Sequence, residues 1–129
     1  MNAIGSRSPI YTSAIGKAVF ANLPSDLQAE ILKKLSLSNI TRKTFNDKDL
    51  FKHHLEVIKE QGFAVDDEET NVGKRCVAAP VYINGRVIGS LAIHGDTESI
   101  RRRSIRSLSN MVKRYSRQLS LELEHLKSR

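Results

Sequence analysis

The dipeptide Asn84-Gly85 lies between two apolar runs of similar length, residues 75–82 and 86–94. Asn-Gly is typical of the tight turn in a β-hairpin, because both residues tolerate the left-handed backbone conformation that such a turn requires. The two runs are therefore predicted to be adjacent antiparallel strands. A purely helical fold is excluded, and the rest of the chain has to be arranged around this hairpin.

Two helices are predicted near the N-terminus. A pair of hydroxyl residues precedes an alanine-containing stretch that ends before Pro24, which predicts a helix over residues 13–22. Ser25 begins the capping-box pattern S-x-x-Q and predicts a second helix over residues 25–35. Two helices therefore come before the hairpin in the chain.

The remaining elements complete the fold class. Asp47 can cap a third helix that ends at Gly62. Residues 40–45 alternate and contain β-branched side chains, so they are predicted to form a strand, and residues 63–69 are predicted to begin as a short strand and end in acids. Apolar side chains at steps of three and four predict one long helix from about residue 98 to 127. Helices that flank a mostly antiparallel sheet, with a long C-terminal helix, make an α+β fold.

The totals limit the class of protein. At 129 residues, the chain is long enough for one domain and too short for two. No apolar run approaches the roughly 20 residues of a membrane span, and the N-terminus lacks the pattern of a secretory signal, so the cytoplasm is the expected compartment and no membrane partner is predicted. A single cysteine excludes an intrachain disulfide, and the four histidines are too scattered for a metal site. No metal and no other cofactor is predicted.

The charges are unevenly distributed along the chain. The net charge of +7 suggests an anionic partner. Residues 66–69 are four consecutive acids, whereas residues 101–117 contain seven lysines and arginines and no acid. Because the acidic run comes shortly before Cys76, the only cysteine, this region is the first candidate for a functional site.

The length of the hairpin loop decides which side chains share a face with Cys76, because side chains alternate along a strand. A two-residue turn places Cys76 opposite Ile93, whereas a three-residue loop over residues 83–85 places it opposite Ala92. We predict the three-residue loop, because it collects the branched aliphatic side chains on one face. The other face then holds small or polar residues: Cys76, Ala78, Pro80, Tyr82, Ser90, Ala92 and His94.

This face of small residues predicts a ligand pocket. Small side chains covered by helices do not fill space as a core does, and they leave a concavity. Cys76, Ala92 and His94 are therefore predicted to line one pocket. Finding Cys76 and His94 on opposite faces of the sheet would exclude it.

Three segments, residues 5–24, 41–47 and 61–95, resemble in order and spacing the effector-binding domain of IclR-type bacterial transcriptional regulators. The most specific parts are SAIGKA, GFAVDDEE and GKRCVAAPV. The resemblance implies that residues 1–129 form a GAF-like sensor domain, not an enzyme, whose cupped sheet binds a small effector such as an organic or sugar-derived acid. It also implies assembly into homodimers or homotetramers.

The resemblance further implies that parts of the family's proteins are missing. The matched stretch begins partway into the family's domain, so the first helix and strands are expected to be absent, as is the N-terminal winged helix-turn-helix. Operator DNA is then expected to be bound through a domain absent from this chain, and the effector would modulate that binding.

The family's ligand contacts, carried over by position, fall on the backbone of Ala14 and Ile15, on Asp66, on Cys76, and on positions 92 and 94. Many relatives carry hydroxyl groups on that last strand, whereas this chain has Ala92 and His94. The ligand of any one relative is therefore not transferable.

The chemistry of the predicted pocket suits a small acid. The backbone N–H groups of Ser13, Ala14 and Ile15 begin the first helix, and with the helix dipole they can hold a carboxylate. Asp66 would repel a carboxylate but accept a hydrogen bond from a ligand hydroxyl, and His94 can donate to the same ligand. The two ends of a hydroxy or keto acid could then be distinguished.

An enzymatic alternative uses the same side chains. Cys76 would be the nucleophile of a thiol enzyme on a GAF-like fold, with His94 as base and Asp66 as orienting group. No second cysteine is available to resolve an oxidised intermediate. An inert Cys76 thiol would favour sensing over catalysis.

Simpler interpretations apply to the other charged groups. Residues 67–69 are expected to be a solvated loop, and His53 and His54 to be surface or packing residues. Lys17 follows a glycine as in a phosphate-binding loop, but the glycine-rich loop itself is missing. The basic residues of 101–117 are expected to form a solvated helix face, with direct nucleic-acid binding as the alternative.

Overall fold

The computed structural model describes residue 7 and residues 9–38 and 40–127. The elements, in chain order, are α1 (Ala14–Ala21), α2 (Ser25–Lys34), α3 (Lys48–Gln61), β1 (Ala64–Asp67), β2 (Lys74–Ile83), β3 (Arg86–Asp96), a short 3-10 helix (Arg102–Ser104) and α4 (Ile105–Lys127). The strands form one antiparallel sheet in the order β1-β2-β3. Helix α1 lies on one face of the sheet with α3 packed on α1, and α4 lies on the other face. The predicted α+β class is confirmed.

Local capping explains where α1 and α3 begin and end. The Ser13 hydroxyl accepts from the N–H of Gly16 at 3.0 Å, so α1 begins at Ala14. The Asp47 carboxylate accepts from two first-turn amides of α3, and Gly62 ends that helix with a left-handed φ of 86°. The serine and aspartate caps and the glycine stop are therefore confirmed.

Helix α2 is held differently from the prediction. The capping box at Ser25 is not formed, because Pro24 occupies the N-cap position and no side chain caps the helix. Gln28, the expected partner of Ser25, instead donates to the carbonyl oxygen of Phe20 at 2.9 Å. No residue of α2 is buried, so this helix lies on the periphery of the domain.

The predicted strand over residues 40–45 is wrong. This segment is a turn in which the Thr44 hydroxyl accepts from the Thr41 amide at 3.0 Å and donates to the carbonyl oxygen of Glu69 at 2.7 Å. The Thr41 hydroxyl donates to the carbonyl oxygen of Glu68. Threonine side chains that bond to backbone groups compete with a β-ladder, and here they attach the turn to the acidic loop.

The long helix begins at Ile105, later than the predicted start near residue 98. Asp96 instead caps a separate turn by accepting from the N–H of Ser99 at 2.8 Å. The carbonyl oxygen of Ile100 accepts from the guanidinium of Arg75 on β2. These contacts fix the segment before α4 in a non-helical conformation.

The hairpin register differs from both alternatives. The turn has two residues with left-handed φ values of 52° and 76°, as expected for Asn-Gly. A β-bulge then skips Ile88 in the pairing of β3 with β2. As a result Cys76 lies opposite His94, so the three-residue loop and the pairing with Ala92 are wrong. The bulge shifts the pairing expected for a two-residue turn by one residue. The paired residues beyond the bulge therefore lie on the same faces that the three-residue loop predicted.

The two faces of the sheet belong to different cores. The face toward α1 and α3 packs small side chains against aromatic ones: Ala14, Ala18, Ala64, Ala78, Phe20 and Phe51. The face toward α4 packs branched and small aliphatic side chains: Val77, Ala79, Val112, Ile93 and Ile105. None of the described helices is long and apolar enough to cross a membrane.

Candidate functional site

Three of the predicted ligand residues form one row across the sheet. Asp66 on β1 lies opposite Cys76 on β2, and Cys76 lies opposite His94 on β3. Ala92, two residues before His94, points to the same face. The row passes from the interior to solvent, because Asp66 is buried, Cys76 is half-buried and His94 is exposed. Cys76 and His94 therefore do not lie on opposite faces.

Helix α1 covers the inner part of this face. Ala14 and Ala18 are fully buried in contact with the sheet, and they fill the space over its centre. The side toward β3 is more open, since Ile15 is 44% exposed and its carbonyl oxygen accepts from the Ser90 hydroxyl at 3.2 Å. The open side of this face is therefore the side toward β3.

The first turn of α1 keeps two of the three amides predicted to hold a carboxylate. The N–H of Ser13 donates to the carbonyl oxygen of Pro9 at 3.3 Å. Within the described ranges, no acceptor is found for the N–H groups of Ala14 and Ile15, as is usual at the start of a helix. Of the three predicted amides, only those of Ala14 and Ile15 are therefore left without an acceptor among the described residues.

The Asp66 carboxylate closes the acidic loop that follows β1. Its Oδ1 accepts from the N–H groups of Glu69 at 2.8 Å and Thr70 at 3.2 Å, and its Oδ2 accepts from the Thr70 hydroxyl at 2.6 Å. A carboxylate has about four acceptor positions. Asp66 is therefore largely a structural residue, with capacity for one further donor.

The expectation that residues 67–69 form a solvated loop is wrong. Glu69 is 6% exposed and forms an ion pair with Lys17 at 2.8 Å. Asp67 forms an ion pair with Arg75 at 2.8 Å, and the Arg75 guanidinium beside it helps hold the pKa of Asp67 below its usual range despite partial burial, which acts to raise it. Asp67 and Glu69 are thus each paired with a basic side chain from another part of the fold.

Lys17 connects α1 to three other elements. It is fully buried, and its ammonium donates to the carbonyl oxygen of Val65 at 2.6 Å, to Oε1 of Glu69 at 2.8 Å and to Nε2 of His54 at 3.1 Å. A lysine ammonium has three N–H donors, so all of them are used. For Nε2 to accept, His54 has to be neutral with its proton on Nδ1. The ring of His54 stacks on Phe45 with 4.6 Å between centroids.

The protonation states in this cluster follow from burial. Burial and then the Lys17 charge lower the pKa of His54 to about 4, so its ring is neutral at pH 7. Burial raises the pKa of Glu69 to about 6, an effect that Lys17 only partly offsets. Oε2 of Glu69 is buried and has no hydrogen-bond partner among the described residues. The cluster therefore carries a charge pair that is sensitive to pH.

The Cys76 thiol is unsuited to nucleophilic catalysis. Burial, with a further contribution from Asp66, raises its pKa to about 12. A reactive cysteine needs the opposite shift. Among the described side chains, no hydrogen bond joins Cys76 to His94, so the base of the enzymatic alternative is not in place.

Sequence reasoning missed Lys17, His54 and Glu69 as a unit. Lys17 is 37 residues from His54 and 52 residues from Glu69 in the chain, so no local pattern joins them. The only local signal was a lysine on the apolar side of a short alanine-containing helix. In the part of the chain that the structure describes, no three His, Cys, Asp or Glu side chains are arranged to hold a metal ion.

Comparisons with known proteins agree on one family. Residues 1–121 match the model of the bacterial transcriptional regulator IclR C-terminal family. The chain is 32% identical over 118 residues to the HTH-type transcriptional regulator BhcR of Paracoccus denitrificans, covering 90% of this chain and 42% of that protein. It is 31% identical to the regulator KdgR of Escherichia coli, of which it covers 46%. The chain therefore spans less than half the length of these two relatives.

Solved structures have the same fold. The C-terminal domain of E. coli KdgR superposes with a TM-score of 0.85 at 30% identity, covering 94% of this chain and 74% of that one. The inducer-binding domain of PobR from Acinetobacter, solved with 3-hydroxybenzoic acid, superposes with a TM-score of 0.83 at 23% identity, covering 96% of this chain and 70% of that one. The arrangement of three strands and four helices is therefore shared with regulator domains.

Proposed function

The chain belongs to the IclR family of bacterial transcriptional regulators, and on that premise we propose that it senses a small carboxylic acid bound beneath α1. The proposal depends on two observations: the row Asp66, Cys76 and His94 lies on the face of the sheet that α1 covers, and the N–H groups of Ala14 and Ile15 have no acceptor among the described residues. The amides would hold the carboxylate, with the positive end of the helix dipole directed at it.

The rest of the ligand would meet polar groups at the edge of the row. His94 is exposed on β3 and can donate a hydrogen bond. Asp66 retains capacity for one donor, such as a ligand hydroxyl. Cys76 and Ala92 would form a small and weakly polar wall. These contacts suit a hydroxy, keto or sugar-derived acid, and the PobR domain shows that this fold can hold an aromatic acid.

The proposed output is control of transcription by the whole regulator in the cytoplasm. The ligand would favour one arrangement of a homodimer or homotetramer over another, and so change operator binding by a winged helix-turn-helix outside this chain. The relatives named above are regulators, and the raised pKa of Cys76 speaks against the thiol-enzyme alternative. No cofactor is required for this mechanism.

A thermal-shift screen of matched pairs tests the proposal. Lactate, pyruvate, 3-hydroxybenzoate and gluconate would each be compared with the corresponding neutral amide. An acid at 100 times its dissociation constant should stabilise the chain by about 2.7 kcal/mol, whereas its amide should not. His94→Ala should weaken the effect without changing the fold, because His94 is exposed. Stabilisation by the amides equal to that by the acids would contradict the proposed site.

A further inference from the structure

A cleft of about 610 Å³ lies between α2 and α3, at the C-terminal end of α1. Its apolar lining comes from all three helices and the link after α1: Ala21, Leu23, Ala29, Leu32 and Leu55. Ala21 and Leu55 are each only 1% exposed, so they form the floor. The volume is within the range of small-molecule sites. None of the lining residues belongs to the row beneath α1.

Lysines outnumber acids around this cleft. Lys33, Lys48, Lys52 and Lys59 line it together with Asp49 and Glu56. The Lys48 ammonium donates to the carbonyl oxygen of Lys33 at 3.2 Å, which joins the end of α2 to the start of α3. Lys52 follows Lys48 by one helical turn. Three of the four lysines are therefore at the same end of the cleft.

The positive charge at this end is only partly offset, by Asp49, which lies between Lys48 and Lys52 in the first turn of α3. Glu56 follows Lys52 by four residues, a spacing that allows an ion pair within a helix. Its carboxylate is instead 3.9 Å from the ring of His53. Among the described residues, Lys33, Lys52 and Lys59 form no ion pair. The cleft thus combines a cationic end with a leucine and alanine floor.

We propose that this cleft binds an amphipathic carboxylate, with its apolar chain on the floor and its carboxylate at the Lys33, Lys48 and Lys52 end. The α3 lining runs from residue 48 to 59, about 16 Å at 1.5 Å per residue. That length suits an extended aliphatic chain better than a compact acid. Helix α2 has no fully buried residue, and it packs on the core only through partly buried side chains such as Ile31 and Leu32. The site is separate from the acid site proposed beneath α1, and neither depends on the other.

Titration of the 129-residue chain with decanoate tests this proposal, with amide chemical shifts followed by NMR. Saturable shifts should be confined to residues of α2, α3 and the end of α1. Decan-1-ol, which has the same chain without the charge, should bind about tenfold more weakly. The double variant Lys33→Gln/Lys52→Gln should weaken decanoate binding by a similar factor. Lys34→Gln is the matched control, because Lys34 lies outside the cleft and pairs with Glu30 at 3.3 Å.

Three results would each overturn the proposal. They are the absence of saturable shifts in α2 and α3, equal affinity for decanoate and decan-1-ol, and a weakening of decanoate binding by Lys34→Gln equal to that of the double variant. An acidic amphipathic peptide that occupies the cleft when decanoate does not would mark a protein-binding surface, and it would overturn the proposal as well.

Discussion

The two faces of the sheet are filled by different kinds of side chain. Toward α4, valines and isoleucines pack around Val112, and the buried serines of that helix, Ser109 and Ser116, donate to carbonyl oxygens of α4 itself. Toward α1, alanines occupy the centre, and ionisable groups lie around them: Lys17, His54, Asp66, Glu69 and Cys76. The α4 side carries its ion pair, Arg75–Asp67, at the end of the strands, whereas the α1 side carries a cluster of ionisable groups around its centre.

This difference indicates that the α4 side serves packing, whereas the α1 side also serves the proposed recognition of a ligand. Burying an ion pair costs about as much free energy as the attraction returns, so the Lys17–Glu69 pair is a poor way to add stability. It does fix the height and angle of α1, because Lys17 also holds Val65 and His54. We infer that the charges on the α1 side hold α1 in place over this face of the sheet.

The largest expected effect is the loss of the Lys17 ammonium. Lys17→Met leaves the Glu69 carboxylate buried without its cation, so we expect a loss of about 3–5 kcal/mol in the free energy of unfolding. Val112→Ala removes packing on the α4 side and should cost only about 2 kcal/mol. Urea denaturation of both variants, analysed with a common m-value, measures the two losses in the free energy of unfolding.

The double variant Lys17→Met/Glu69→Leu is the control for that prediction. It removes both charges, so most of the lost stability should return if the damage comes from the unpaired carboxylate. A double variant as unstable as Lys17→Met would show that the loss comes from the missing hydrogen bonds to Val65 and His54 and not from the unpaired Glu69 carboxylate, which would contradict the prediction.

The sequence predicted features that depend on neighbours in the chain. The Asn-Gly turn, the Ser13 and Asp47 caps and the Gly62 stop were found because each acts within four residues. The bulge at Ile88 was not, because one extra residue changes the register without changing the apolar pattern. The threonines of the 40–45 segment resemble a strand, but they bond to Glu68 and Glu69, which are more than 20 positions away.

The candidate site likewise has features that the sequence predicted and features that it did not. Alternation along β2 and β3 placed Cys76, Ala92 and His94 on one face even though the loop length was wrong. The burial of Glu69 depends on a tertiary contact with Lys17. The use of Asp66 within its own loop is local, since Thr70 is only four residues away, but the run of acids gave no sign of it. Periodicity can assign a residue to a face, but it does not reveal which hydrogen bonds that residue has already made.

The pH dependence of stability should report on the α1 side. Because the pKa of His54 falls from 6.5 to about 4 on folding, the unfolded chain binds the extra proton between these values, and stability rises with pH in that window. Because the pKa of Glu69 rises from 4.5 to about 6, the folded chain binds the extra proton there, and stability falls with pH in that narrower window. From these two groups we expect a net gain on the order of 1 kcal/mol between pH 4 and 6.5.

Two variants separate these opposing contributions in urea unfolding at several pH values. Glu69→Gln should make stability rise more steeply with pH, because only the His54 contribution remains. His54→Gln should leave a fall between pH 4.5 and 6. Val112→Ala should lower the whole profile without changing its shape, since Val112 belongs to the other face. A wild-type profile and a Glu69→Gln profile of the same slope would contradict the assignment of a raised pKa to Glu69.

A substitution at the start of α1 is the most informative about function. Ala14→Pro removes one of the two amides without an acceptor, and proline is tolerated at the first position of a helix. The preceding Ser13 is extended (φ −71°, ψ 143°), as a residue before proline requires. Because Ala14 is fully buried, the added ring carbons must displace their neighbours, so we expect the free energy of unfolding to fall by about 1–3 kcal/mol, while stabilisation by small acids is largely lost. Ser25→Pro is the control, because it makes the same change at the start of α2, after an equally extended Pro24 (φ −52°, ψ 142°). Small acids should stabilise this variant as much as they stabilise the wild type. If stabilisation by small acids were instead unchanged in Ala14→Pro, the carboxylate would not bind the α1 amides. The buried charges beneath α1 would then have a role other than holding a ligand-binding helix in place.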